Sequence, residues 1–253
     1  MRGVLVVIPA RFESTRLPGK ALADLGGRPL VVRVAELAAR METADEVIVA
    51  TDDARIVEAV ESAGHRAEMT GDHPTGSDRV AEVLERHHAE IVLDLQGDEP
   101  LLEPSDLDAL VRSLLTDPEA DMATLAHPLS GPDEWRDPNV VKVLAGGDGH
   151  ALWFSRAAIP GVHAGLPHDL QDGVAEPWRM ALRHVGVYAF RGPSLKRFLN
   201  LPRTALERAE GLEQLRALEH GLRIQVAPAA GSPVGVDTPE DLERVRELWS
   251  RRG

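Results

Sequence analysis

The residues best placed to do chemistry are three cations and two carboxylates. Arg11, Arg16 and Lys20 share one loop, Pro-Ala-Arg-Phe-Glu-Ser-Thr-Arg-Leu-Pro-Gly-Lys (9 to 20), which directly follows the apolar run Val4 to Ile8. In open α/β sheets, ligands bind beyond the carboxyl ends of the strands. A loop of positive charge in that position suits a polyanion, such as a nucleoside triphosphate, although three cations alone would equally make an ordinary basic surface loop. Asp98 lies in Gln96-Gly-Asp-Glu-Pro100, again at the end of a strand, Ile91-Val-Leu-Asp-Leu95. A carboxylate there can hold Mg²⁺, which takes one or two protein carboxylates and completes its shell with water and phosphate oxygens. It can also simply form a turn. Asp237 opens Asp-Thr-Pro-Glu-Asp-Leu242. Thr238 as N-cap, Pro239 at the first helical position and Asp241 at the third make an ordinary helix start. Asp237 is left outside that account, free to serve as a second metal carboxylate.

Two further groups are weaker signals. Thr75-Gly-Ser77-Asp-Arg79 sits at another strand-to-helix junction, where backbone N–H groups and small hydroxyls read a base edge, bind an anion or merely cap the helix. Arg183-His184-Val-Gly-Val-Tyr188, with Glu210, Glu213 and Gln214 on a later helix, offers donors for a hydroxylated substrate that carries a carboxylate. The pair His87-His88 suits the end of a helix. Lys20 is followed by Ala21 and lacks the glycine spacing of a Walker loop, and there is no Gly-x-Gly-x-x-Gly after a strand, no Gly-x-Ser-x-Gly and no His-Glu-x-x-His. Kinase, dehydrogenase, serine-hydrolase and zinc-protease chemistry all lose ground.

The elements that must position these residues alternate. The opening strand is followed by an amphipathic helix from Pro29 to about Met41, a strand over 46–50 and a helix over 54–63 capped by Asp53 or its neighbour. A short strand over 67–69 precedes a helix opened by Ser77 or Asp78, the strand 91–95 and a helix over 105–115. Such alternation implies parallel strands with right-handed crossovers. The second half is less regular, with strands expected over 122–129, 140–144, 151–154, 185–190 and 223–227. Its helices are expected over 206–220 and 238–249, and 161–177 reads as a long loop. No composition break marks a linker, so the expectation is one domain over 1–253.

Composition narrows the partners. The 253 residues carry a formal net charge of -13 and are 43% hydrophobic. So acidic a chain repels nucleic acid and anionic membranes. The first 20 residues invert the balance, with Arg2, Arg11, Arg16 and Lys20 against Glu13 alone. There is no cysteine, which excludes disulfides and thiolate catalysis. No apolar run approaches the ~20 residues of a bilayer span, and no basic leader precedes the first strand. The expectation is a cytoplasmic protein.

Taken together, the segments 7–20, Val-Ala-Thr-Asp-Asp (49 to 53), 75–79, 96–100, Phe-Ser-Arg (154 to 156), 183–188, Leu-Glu-Gln-Leu-Arg (212 to 216) and 235–242 resemble the CMP-sugar-acid synthetases. Within them the resemblance is to the 3-deoxy-manno-octulosonate (Kdo) cytidylyltransferase family. It covers nearly the whole chain, in order. It implies an α/β fold of three layers, that of the nucleotide-diphospho-sugar transferases (Rossmann-like, with a mostly parallel mixed sheet). Residues 1–120 would form the CTP-binding half and 121–253 the sugar-binding and dimerisation half of a homodimer. It implies that Arg11, Arg16 and Lys20 bind the CTP phosphates, that Thr75, Ser77 and Arg79 recognise cytosine and ribose, and that Asp98 and Asp237 hold Mg²⁺. Gln96, Arg156, His184, Tyr188, Glu210 and Gln214 match positions around the sugar acid. The segment 161–180 departs from the Pro- and Arg-rich pattern that follows Phe-Ser-Arg in this family. Two alternatives remain open at this point: transfer to another acceptor (a different sugar acid, a phosphonate or a polyol), and a non-catalytic nucleotide-binding protein.

Overall fold

The computed structural model describes residues 3–14, 16–163, 176–231 and 234–251. Most of the expected loop 161–177 lies outside them. The first half winds as β1 (Val4–Ala10), α1 (Leu30–Ala38), β2 (Glu46–Thr51), α2 (Ala54–Ser62), β3 (Ala67–Met69), α3 (Gly76–Arg86), β4 (Ile91–Asp94) and α4 (Pro104–Thr116). The second half adds β5 (Met122–Pro128), α5 (Pro132–Arg136), β6 (Lys142–Ala145), β7 (Ala151–Ser155) and β8 (Leu182–Arg191). It finishes with α6 (Gly192–Leu199), α7 (Ala205–Glu210), α8 (Gln214–Glu219), β9 (Ile224–Pro228) and α9 (Pro239–Ser250).

Among the described residues the nine strands form one sheet, ordered β3-β2-β1-β4-β8-β5-β9, with β6 paired to β7 and to the start of β8. The pairings make β1 to β6 and β9 run one way and β7 and β8 the other. The central position of β1 explains its composition. All seven of its residues are buried, because both faces are covered. Val4, Val6 and Ile8 pack with α1, α2 and α4 on one face. Leu5 and Val7 pack with α3, α6 and α8 on the other. This is a three-layer α/β/α arrangement.

Local signals place most element boundaries. Asp53 caps α2 by accepting from the Arg55 N–H, and Thr238 and Asp241 form a reciprocal capping box at the start of α9 with Pro239 in the first turn. Three expectations shift. The cap of α3 is Thr75 rather than Ser77 or Asp78, since its side chain accepts from the Asp78 N–H and the helix starts at Gly76. Pro29 is the N-cap of α1 and the helix stops at Ala38. The single helix expected over 206–220 is two, because Gly211 turns into the left-handed region at φ 64° and its N–H closes on the Glu207 carbonyl. That break turns the ends of α7 and α8 toward different neighbours. The helices α5 and α6 were not anticipated.

Candidate active site

The loop after β1 gets its shape from its own sequence. Gly19 takes φ 71°, a conformation costly for any residue with a Cβ, and its N–H bonds back to the Phe12 carbonyl at 3.1 Å. The Phe12 ring is covered by the Arg55 guanidinium, 3.4 Å from the ring centroid. A 3-10 turn over Lys20–Leu22 then directs Lys20 back across the sheet end. There its ammonium donates to Asp98 Oδ2 at 2.5 Å and to Asp237 Oδ1 at 3.3 Å. Arg16 reaches the same Asp237 oxygen at 3.1 Å.

Asp98 and Asp237 are therefore neighbours in space. The Val236 N–H donates to the Asp98 carbonyl at 2.9 Å, tying the two segments at the backbone. The Asp237 N–H is in turn held by Asp241, so the capping box fixes the main chain and leaves the Asp237 carboxylate to project. Two carboxylates converging on one cation match the donor set of Mg²⁺, which leaves its remaining positions to water and phosphate. Among the described residues no cluster of three or more acidic or histidine side chains forms an all-protein metal cage. Beside the pair, one Glu99 oxygen is buried without a hydrogen-bond partner among the described residues. Burial, then the charges of Asp98 and Asp237, push its carboxyl up to about 8.

Above this floor lies a cavity of about 280 Å³. Of the residues singled out from sequence, Arg11, Arg16, Lys20, Asp98 and Asp237 line it, as do Thr75, Arg79 and Gln96. The Arg79 guanidinium is already committed, to Asp52 at 2.6 Å, to Thr70 Oγ1 and to the Gly71 carbonyl. Thr75 bonds Asp78, at 2.7 Å from its hydroxyl. Ser77 lies below the wall and donates to Asp94 at 2.8 Å. Ser14, His73 and Pro74 also line the cavity and were not anticipated.

A second cavity of about 300 Å³ opens on the other side of β4 and is lined by His184, Tyr188 and Gln214, with Arg183 and Glu213. A bulge in β8 shapes it. The pairing of β5 with β8 slips after Thr124, so that Thr124 faces Tyr188 while Leu125 faces Val185. The Thr124 hydroxyl fills the gap, meeting the Val185 and Val187 carbonyls and, at 2.9 Å, His184 Nε2. Burial lowers the His184 pKa to about 3, so the imidazole is neutral. Burial raises the Tyr188 phenol well above its ordinary value, with Glu213 and Asp94 adding to the shift.

Arg156 and Glu210 line neither cavity. They bind each other instead. Glu210 accepts from the Ser155 hydroxyl at 2.6 Å and the Arg156 N–H at 2.8 Å, and its own carbonyl accepts from the Arg156 guanidinium at 2.7 Å. Underneath runs Lys142, fully buried, whose ammonium donates to the carbonyls of Asp137, Val140 and Arg156 at 2.8, 2.6 and 2.5 Å. Asp94 and Lys142 were both missed. Their signal was present, since each is a lone charge inside an apolar strand.

Comparison with known proteins fits this arrangement. A cytidylyltransferase family model matches residues 5–224. A 3-deoxy-manno-octulosonate cytidylyltransferase of Geobacter sulfurreducens is 48% identical over 246 residues, covering 96% of this chain and 98% of its own length. One from an Anaeromyxobacter species is 50% identical over 250 residues, covering 98% and 97%. A solved CMP:2-keto-3-deoxy-manno-octonic acid synthetase complexed with CTP superposes with a TM-score of 0.89 at 40% identity, over 99% of this chain and all of that one. A cytidylyltransferase from Leptospira borgpetersenii shares the fold at a TM-score of 0.65 and 18% identity. Among the described residues no helix is long and apolar enough to cross a membrane. With this fold, this basic loop and these relatives, the chain belongs to the cytidylyltransferase family, in its 3-deoxy-manno-octulosonate branch, and is a nucleotidyltransferase.

Proposed function

We propose that this enzyme joins CMP from CTP to the 2-keto sugar acid 3-deoxy-manno-octulosonate and releases pyrophosphate, activating the sugar for lipopolysaccharide assembly. The observation that carries the reading is the meeting of Asp98 and Asp237 on the Lys20 ammonium at the floor of a cavity rimmed by Arg11 and Arg16. A binding module has no need of two carboxylates beside a triphosphate clamp, whereas phosphoryl chemistry does.

A sugar hydroxyl attacks the α-phosphorus of CTP in line, the new O–P bond forms, and the bond to the β-phosphate oxygen breaks. Such a transfer depends on positioning and charge neutralisation more than on covalent catalysis. Asp98 and Asp237 would hold Mg²⁺, which when bound offsets phosphate charge and lowers the pKa of a coordinated hydroxyl. Arg11, Arg16 and Lys20 bind the triphosphate and stabilise the charge growing on pyrophosphate as it leaves. Thr75 and Arg79 form the wall against cytosine and ribose, with Ser77 behind it and Arg79 as a brace that fixes it. His184, Tyr188 and Gln214 receive the sugar acid with Gln96, while Arg156 and Glu210 hold the neighbouring turn in shape. Exposed Leu152 and Met180 on the second half support a homodimer contact there. Use of CTP puts the enzyme in the cytoplasm.

The test is pyrophosphate release with CTP, Mg²⁺ and a panel of acceptors. Release that requires the octulosonate is the expected result. CTP binding without release from any acceptor, or release with a phosphonate or polyol but not the octulosonate, would overturn it.

A further inference from the structure

Asp94 stands between the two cavities. It is the last residue of β4, 1% exposed, and the one charge in an otherwise apolar strand. Both of its oxygens are engaged. Oδ2 accepts from the Ser77 hydroxyl at 2.8 Å, and Oδ1 accepts from Gln96 Nε2 at 2.6 Å. Ser77 belongs to the first turn of α3, next to Thr75 and Gly76, which line the first cavity. Across the β4–β8 ladder Asp94 is the direct partner of Tyr188, which lines the second.

A carboxylate has lone pairs and no proton to give. It therefore decides which end of the Gln96 amide faces it. With Nε2 drawn to Asp94, the amide oxygen is the end left for a ligand. We infer that Asp94 is a positioning residue for the transfer: it holds the Gln96 amide with its carbonyl oxygen turned toward the substrates, so that this point of the site accepts a hydrogen bond from a substrate hydroxyl or amino group. The inference deepens the function proposed above and rests on that reading for its kinetic consequence.

The arrangement depends on the charge of Asp94. Burial pushes its carboxyl up to about 7, the charges of Glu213 and Asp98 add to this, and the hydrogen bonds from Ser77 and Gln96 oppose it. Tyr188 faces it from β8. Once protonated, the carboxyl carries a donor of its own, and the Gln96 amide loses the reason to keep one orientation. Asparagine at position 94 also carries a donor and no charge, so it stands in for the protonated carboxyl without titrating.

Two variants separate these points, assayed by pyrophosphate release between pH 6 and 9. For the wild type, kcat/KM for the sugar acid should fall on the acid side with an inflection near 7. Asp94→Asn should show, from pH 6 to 9, the lowered kcat/KM that the wild type reaches at its acid end, with no inflection. Asp94→Leu suits an apolar strand and should keep a cooperative melt. It should lower kcat/KM for the sugar acid by about tenfold at high pH and show no inflection, with KM for CTP changed less than about twofold. An unaltered inflection in Asp94→Asn, or wild-type kinetics in Asp94→Leu, would overturn the inference. A second readout needs no turnover. The Gln96 side-chain NH₂ resonances, assigned by their absence in Gln96→Glu, should shift with pH through the Asp94 titration in the wild type and stay constant in Asp94→Asn. Resonances that ignore pH in the wild type would overturn the inference even in an active enzyme. If the resonances titrate but no acceptor yields pyrophosphate, the positioning role stands and the proposed reaction fails.

Discussion

The backbone N–H of Val236 donates to the carbonyl of Asp98 at 2.9 Å, and this one hydrogen bond sets two distant carboxylates side by side. Asp98 follows a strand at the centre of the sheet, and Asp237 precedes the cap of α9. Neither position has freedom to drift, since Asp241 holds the Asp237 N–H from the other side.

Asp98→Asn or Asp237→Asn keeps the volume and removes one charge. Each should lower CTP- and sugar-dependent pyrophosphate release by at least about 100-fold, the scale of lost electrostatic stabilisation at a transferring phosphoryl group. The melting temperature should stay near wild type, because both side chains are partly exposed. Full release by either variant would remove that residue from the chemistry.

Lys142 donates to three backbone carbonyls, of which that of Asp137 also accepts from the Val140 N–H, while those of Val140 and Arg156 rely on the ammonium. Lys142→Met fills the space and leaves the Val140 and Arg156 carbonyls without the ammonium donor, a cost of about 2–4 kcal/mol. Thermal and urea unfolding should both register it. KM for the sugar acid should rise while KM for CTP holds, because Val140 lines the second cavity and not the first. An unchanged unfolding midpoint would mean that the carbonyls find water.

Gly211 sits at φ 64°, the joint between α7 and α8. Gly211→Ala should cost about 1 kcal/mol through the left-handed backbone alone, since nothing lies within 4 Å of the added Cβ. The same strain reaches Leu212 and Gln214 at the second cavity, so weaker sugar-acid binding should accompany it, read as KM. A neutral outcome in both would show that the break between the helices does not depend on glycine.

His184 is neutral in the fold, with its pKa lowered to about 3 by burial, against an ordinary value near 6.5. The unfolded chain therefore takes up this proton first as pH falls. Stability from this group is complete above about 6.5 and is lost between there and 3, at a slope of up to about 1.4 kcal/mol per pH unit. Asp94 works the other way. Its raised pKa means the native state keeps a proton that the unfolded chain has released, so its contribution falls as pH rises from about 4 toward 7. The His184 part is isolated by comparing wild type with His184→Gln in urea at several pH values from 4.5 to 7.5. The gap in unfolding free energy should shrink toward acid. A gap independent of pH would contradict a buried neutral imidazole.

The parallel first half was legible because its information is local. A run such as Val4 to Ile8, buried on both faces, and a cap such as Asp53 before α2 can each be read from a few neighbouring letters. The basic loop and the two acidic segments were legible for a related reason: each lies at a strand end or helix start, where the fold class already says that ligands bind. What stayed hidden depends on partners without a side-chain signature. Lys142 could be flagged as a lone charge in an apolar strand, but its partners could not be named, because they are main-chain carbonyls that any sequence supplies. The division of 206–220 turns on the backbone angle of Gly211, and glycine within a helical pattern is tolerated often enough to pass unnoticed. Arg156 and Glu210 illustrate the converse. Glu210 was expected at the substrate from its residue type and Arg156 from the resemblance, and the structure pairs them with each other.

Lys20, Asp98 and Asp237 also arrive at very different times during translation. The central strands and the triphosphate loop leave the ribosome early and can begin to dock as they emerge. A nascent chain halted before Asp237 carries the basic loop but lacks both the last acid and the turn that aims it. Competence for transfer therefore begins only once synthesis has passed that helix start.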